Sequence, residues 1–185
     1  MGEIFTHRIE VFTADLAITG SYELALYRRM SDALNGEQRR YIPLLQATIG
    51  PLGQSAQLQR IPTLLFDRSE AIVVSALAEA QPPTNYPRDE QIRGMIPITA
   101  MFFTSAFAVR GTFYRRPNQD LTETLERMAD DFLPLRRVQV FALHGGMAPV
   151  ERDFAALACR RIVALYQLAD APADASGETP PHGPA

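Results

Sequence analysis

Residues Phe12–Leu52, FTADLAITGSYELALYRRMSDALNGEQRRYIPLLQATIGPL, have a second version further along the chain. It is FTSAFAVRGTFYRRPNQDLTETLERMADDFLPLRRVQVFAL, residues 103–143. Laid with Gly20 on Gly111, an ungapped offset of 91, the two put Thr13 on Thr104, Ala17 on Ala108 and Leu34 on Leu125. Pro43 then falls on Pro134, Leu44 on Leu135 and Leu52 on Leu143, and like-for-like pairs such as Tyr22/Phe113 and Tyr41/Phe132 fill the intervals. A match that keeps glycine, proline and apolar positions together predicts a tandem duplication. The expected units span 8–78 and 95–168, with a linker over 79–94 and a disordered tail from 169. Units of roughly 70–80 residues are near the lower limit for an independent core, so they are expected to pack on each other or on a second chain.

Each unit reads as β-β-α-β-β-β, giving an α+β chain that is mostly β, a small bent or barrel-like sheet made twice. Ile9–Leu26 is a hairpin turning at Ala14-Asp15, where aspartate tolerates the backbone required. On the return strand Leu16, Ile18, Gly20, Tyr22 and Leu24 alternate with polar or small residues, the period of a half-buried strand. A glycine in the middle of that apolar face predicts a sharp bend or a close backbone approach. Ser31 is the expected N-cap of a short helix closed by Gly36. In the second copy the helix is expected to be longer, with a capping box at Asp120-Leu121-Thr122-Glu123 and a stripe of Leu121, Leu125 and Met128. Tyr41–Ile49 is the third strand and 53–60 a loop. Thr63–Phe66 and Ala71–Leu77 make a second hairpin, matched by Phe154–Ala158 and Ile162–Leu168 once one residue is deleted.

Composition bounds the chemistry. The formal charge is −3 and the hydrophobic share 46%, enough to build a core and too acidic for a protein coated with nucleic acid. One cysteine, Cys159, makes no internal disulfide and points to a reducing cytoplasm. The first residues lack the apolar run of a leader, and Met95–Val109 is too short and too interrupted to span a bilayer, so no membrane segment is expected. The three histidines have no metal-ligand spacing, no cofactor fingerprint occurs, and neither metal nor cofactor is expected. His144 and Cys159 are the one nucleophile pair worth testing for proximity.

All eighteen basic residues are arginine. Pairs beside tyrosines, Tyr27-Arg28-Arg29, Arg39-Arg40-Tyr41 and Tyr114-Arg115-Arg116, have the composition of a surface for single-stranded nucleic acid or a phosphate-bearing ligand. Arg28, Arg29, Arg39, Arg40, Arg115 and Arg116 are therefore the candidate ligand-binding residues. The same residues at strand ends, rings inward and guanidinium groups outward, would be ordinary surface. The apolar run Met101-Phe102-Phe103 marks a strand covered on both faces, by the other unit or by a partner chain.

Thr13-x4-Ile18-x-Gly20, then Arg29-Met30-Ser31-Asp32-Ala33-Leu34-Asn35, then Tyr41-Ile42-x-Leu44 resembles a bacterial family whose repeat reads T-x4-[IV]-x-G, R-[LM]-S-D-x-L-N, [FY]-[IV]-x-L. The second copy keeps Thr104, Val109, Gly111, Leu125, Phe132 and Leu135 and departs at the helix. That family has no established activity, so the resemblance implies the repeat and the helix position and no catalytic residue. The sequence thus predicts a non-enzymatic interaction or scaffolding protein, a homo-oligomer or bound to a protein partner. The alternative is a nucleic-acid or phosphate-ligand binding module using the arginine pairs.

Overall fold

The computed structural model describes residues 4–84, 86 and 92–168. The strands are β1 (Phe5–Phe12), β2 (Leu16–Leu24), β3 (Tyr41–Pro51), β4 (Gln59–Asp67) and β5 (Val73–Ala78), then β6 (Ile96–Phe103), β7 (Phe107–Arg115), β8 (Phe132–Ala142), β9 (Val150–Ala158) and β10 (Ala164–Gln167). Helix α1 (Met30–Gly36) follows β2 and α2 (Leu121–Glu126) follows β7. The strands form one ten-stranded sheet in the order β10-β6-β7-β8-β9-β5-β1-β2-β3-β4. All pairings are antiparallel. The expected bent or barrel-like sheet is not closed as a barrel: among the described residues β4 and β10 stand at open edges.

Every strand start in the second half lies 91 residues after its counterpart, from β1/β6 to β5/β10, so no deletion is needed. The expected hairpin between the fourth and fifth strands is also corrected. β4 pairs with β3 and β5 with β1, so these strands are the two outer members of the first half. Residues 68–72, which include a 3-10 turn, carry the chain from one to the other. In a flat sheet they would stand four spacings, roughly 19 Å, apart. A turn rising about 2 Å per residue does not cover that distance, so the half-sheet must curl.

The curl has a local cause. Thr19 pairs with Thr48 but Ser21 with Leu45, so β3 carries one extra residue opposite Gly20. Arg110/Gln139 and Thr112/Arg136 repeat the irregularity opposite Gly111. Gln46 and Arg137, in the two bulges, have φ of 48° and 51°. A bulge bends its strand, and glycine lets the bent strand close in. A Cβ on Gly20 would sit 2.6 Å from Leu44 Cβ, and one on Gly111 3.0 Å from Leu135 Cβ. The two β-turns are also alike, since Thr13 Oγ1 accepts from Leu16 N and Thr104 Oγ1 from Phe107 N.

The helices differ from expectation. Helix α1 begins at Met30 with Arg29 in the cap position and no side-chain cap, so Ser31 lies buried inside the first turn. Helix α2 is no longer than α1, but its capping box at Asp120 and Glu123 is present. Two cores result. Ile9, Val11, Ile18, Tyr22, Leu44 and Phe66 pack beneath Met30 and Leu34 of α1. Phe102, Val109, Phe113, Leu135, Val140 and Leu157 form the other. Val74 and Ala156 are paired and face the first core, while their neighbours Val73 and Leu157 face the second. Because alternate residues point to opposite faces, the cores lie on opposite sides of one sheet.

Candidate functional site

The two halves meet where β5 pairs with β9. Val73, Val74 and Ser75 lie against Leu157, Ala156 and Ala155, and all six are buried. Polar ties flank this seam. Asn35 of α1 donates to Phe132 O at 3.0 Å and accepts from Phe132 N at 2.9 Å. Arg68 reaches Asp131 at 2.7 Å and the Leu34 carbonyl at 3.0 Å. Arg152 bridges to Glu10 at 2.6 Å, and Arg161 to Glu70 at 3.0 Å. The Arg68 guanidinium, with Arg160 adding to it, holds the Asp131 carboxyl below its usual range.

Beside the seam lies a cleft of about 750 Å³, walled by α1, the segment after β5 and the second half. Tyr27, Tyr86 and Tyr114 line it, with Tyr27 edge-on to Tyr86 at 4.6 Å and Arg29 over the Tyr86 ring at 5.7 Å. Four carboxylates (Asp32, Glu79, Asp130, Asp153) and two guanidinium groups (Arg29, Arg136) share the lining, a balance that disfavours a polyanion. His7, fully buried, ties the segments nearby. Its Nδ1 accepts from Ala80 N at 3.3 Å, so Nε2 carries the proton and donates to Arg28 O at 3.0 Å. Burial pulls its pKa below the ordinary value against the Arg28 carbonyl and Glu79.

Of the six arginines singled out by sequence, Arg29 lines this cleft. Arg39 and Arg40 are exposed and held by carboxylates at 2.6 Å (Glu37) and 2.8 Å (Asp67). The Arg39 hydrogen bond lowers Glu37 to about 2, and burial beside that carboxylate raises the Tyr22 phenol to about 12. Arg28 is exposed and lies over Gly36, where a Cβ would come within 2.6 Å of Nη1. Arg115 turns its Nη1 onto the carbonyls of Arg116, Pro117 and Gln119, and Arg116 is exposed. Arg28, Arg39, Arg40, Arg115 and Arg116 are outside the cleft lining. The arginines that do bridge the halves, Arg68, Arg152 and Arg161, were missed because their partners are distant in sequence.

The His144–Cys159 pair does not assemble. Cys159 follows β9 beside the start of β8, whereas His144 lies in the exposed turn after the end of β8. An eleven-residue strand separates them, roughly 33 Å at the usual rise. Burial, with Asp130 and Asp131 nearby, pushes the thiol up to about 11, which keeps it protonated and unreactive. Among the described residues no cluster of three potential metal ligands occurs, and no helix is long and apolar enough to cross a membrane. Comparison with protein-family models, curated proteins and solved structures gave no match.

Proposed function

We propose that this chain is a non-enzymatic interaction or scaffolding protein, built from two copies of one unit, that engages its partner through the open edges of its sheet. The observation that carries the reading is at the ends of the strand order. Among the described residues β4 and β10 each have a neighbour on one side only, and Leu65, Val163 and Tyr166 beside those edges are exposed. An edge of unpaired N–H and C=O groups flanked by apolar side chains is a template for another strand. The duplication is supported by the common offset of the strands and by the two bulges at Gln46 and Arg137. With its single half-buried cysteine the chain suits a reducing cytoplasm. Recognition of phosphate through the arginine pairs draws no support from the site. Arg39 and Arg40 already hold carboxylates, and the cleft is lined by more acids than bases.

A photo-crosslinking residue at position 65, introduced in cells, tests the reading. Protein adducts that survive nuclease are expected. Adducts that nuclease removes, or none at all, would overturn it.

A further inference from the structure

The geometry points to a second copy of this chain as the partner, joined head to tail, with β10 of one molecule pairing with β4 of the next. This rests on the edge-binding reading above and adds to it the identity of the partner and the register. The internal seam supplies the template. By the offset of 91, β10 is the counterpart of β5 and β4 the counterpart of β9. The pairing of β5 with β9 that joins the halves therefore has a version left unused, among the described residues, at the two ends of the sheet. Val73, Val74 and Ser75 pair with Leu157, Ala156 and Ala155 inside the chain. Carried across, the register sets Ala164 against Phe66, Leu165 against Leu65 and Tyr166 against Leu64.

Burial shows what these ends lack. Ile72 is 1% exposed at the seam, and its counterpart Val163 is 76% exposed. Ala156 is 0% and Leu65 62%; Phe132 is 2% and Tyr41 50%; Ser75 is 0% and Tyr166 50%. Large side chains thus stand in water at both free ends, and two of them, Leu65 and Tyr166, carry more apolar surface than the seam residues they match. Pairing them would remove them from it.

The charges agree. Arg161 and Glu70 form an ion pair across the seam at 3.0 Å, and each stands at the other's counterpart position. Repeating the seam between molecules again brings Arg161 to Glu70, giving an alternating row where two like charges would have repelled. The Glu10–Arg152 bridge maps onto Met101 and Ile61, an apolar pair. Other ties weaken. Asn35 maps onto Glu126, which can accept from a backbone N–H but cannot donate to the carbonyl, and Arg68 maps onto Cys159. Assembly is therefore reversible and dependent on concentration. Pro62, which removes one donor from the β4 edge, lies outside the three paired positions. Such a head-to-tail contact repeats into a ring if its rotation closes and a filament if it does not.

Two single-cysteine proteins, Leu65→Cys and Leu165→Cys, each with Cys159→Ala, test the register in purified form. Oxidation of their mixture is expected to give a disulfide-linked dimer that neither gives alone. A dimer from Leu65→Cys alone, which means two-fold pairing of β4 edges, would overturn the proposal, as would no dimer in the mixture. Light scattering of the native chain should show mass rising with concentration. Leu65→Lys, at a site exposed in the single chain, should weaken association about 10-fold or more and leave thermal unfolding of the monomer unchanged. A native chain that stays monomeric throughout overturns self-association. If the position-65 probe still captures another protein in cells, the edge-binding reading outlives that failure.

Discussion

The first and second halves bend in the same way and start their helices differently, and the difference separates what fixes the backbone from what adjusts it. Both set a glycine opposite a bulge, and both press a leucine into the space where a Cβ would stand. The approach is tighter in the first half, 2.6 Å to Leu44 Cβ against 3.0 Å to Leu135 Cβ. At Gly20 the nearest atom is a Cβ, which moves only with the backbone, so a methyl group there opens the curl; at Gly111 Leu135 Cδ1 stands as near as its Cβ, and the backbone has less far to give. Gly20→Ala should cost about 2–3 kcal/mol and Gly111→Ala less, within the range known for overpacked cores. Urea unfolding of the two variants reads the difference. Negligible costs at both positions would mean that the bulge, with no help from the glycine, sets the bend; equal costs would mean that the closer approach at Gly20 adds nothing.

The seam gives the next contrast. Asn35 meets both backbone groups of Phe132, while its counterpart in the second half is Glu126. Asn35→Ala leaves a part-buried N–H and C=O without a side-chain partner and should destabilise by about 1–2 kcal/mol. Glu126→Ala in the monomer should change little. Hydrogen exchange at the Phe132 amide locates the effect: faster exchange in Asn35→Ala places the loss at the seam, and unchanged exchange would detach Asn35 from it.

These contrasts also show what was legible in advance. Alternation along β2, the glycine in its apolar face and the turn at Ala14-Asp15 were readable because each is set by neighbours a few residues away. The strand order was not. A short link between Phe66 and Ala71 favours a hairpin on local grounds, yet β5 finds its partners in β1 and β9. The bulges gave no signal, since glutamine and arginine at Gln46 and Arg137 have no special liking for positive φ. Ser31 suits a cap, but the Arg29 carbonyl already accepts from Ala33 N at 2.9 Å, so the helix starts earlier. The arginine pairs were visible as composition. That Asp67 would hold Arg40 depended on β3 lying beside β4.

His7 and its counterpart Ile98 test the halves by pH. In the fold His7 is buried and neutral with a lowered pKa, so the unfolded chain binds its proton more readily. Its share of stability is therefore full above the unfolded value, near 6.5. It falls as pH drops below that value and levels off beneath the folded pKa. The slope is at most about 1.4 kcal/mol per pH unit. His7→Gln should remove this dependence, whatever its cost at neutral pH. A slope that persists in His7→Gln would assign the effect to another group.

The smallest difference lies at the helix starts. Asp120 Oδ1 accepts from Glu123 N at 2.7 Å, and the Glu123 carboxylate accepts in turn from Asp120 N at 3.3 Å. At the same place in the first half Arg29 offers no side-chain cap. The two helices nevertheless have nearly the same length. What holds α1 is burial, with Met30, Ala33 and Leu34 in its core, whereas α2 contributes no fully buried large side chain. The cap thus does for α2 part of what packing does for α1. Asp120→Ala should cost about 1 kcal/mol or somewhat less, and amide exchange should quicken over Leu121–Glu126 while α1 is unaffected. Met30→Ala, which opens a cavity under α1, should cost about 2 kcal/mol or more. If Asp120→Ala proved the costlier of the two, capping would outrank burial, and the account of how each half holds its helix would have to be reversed.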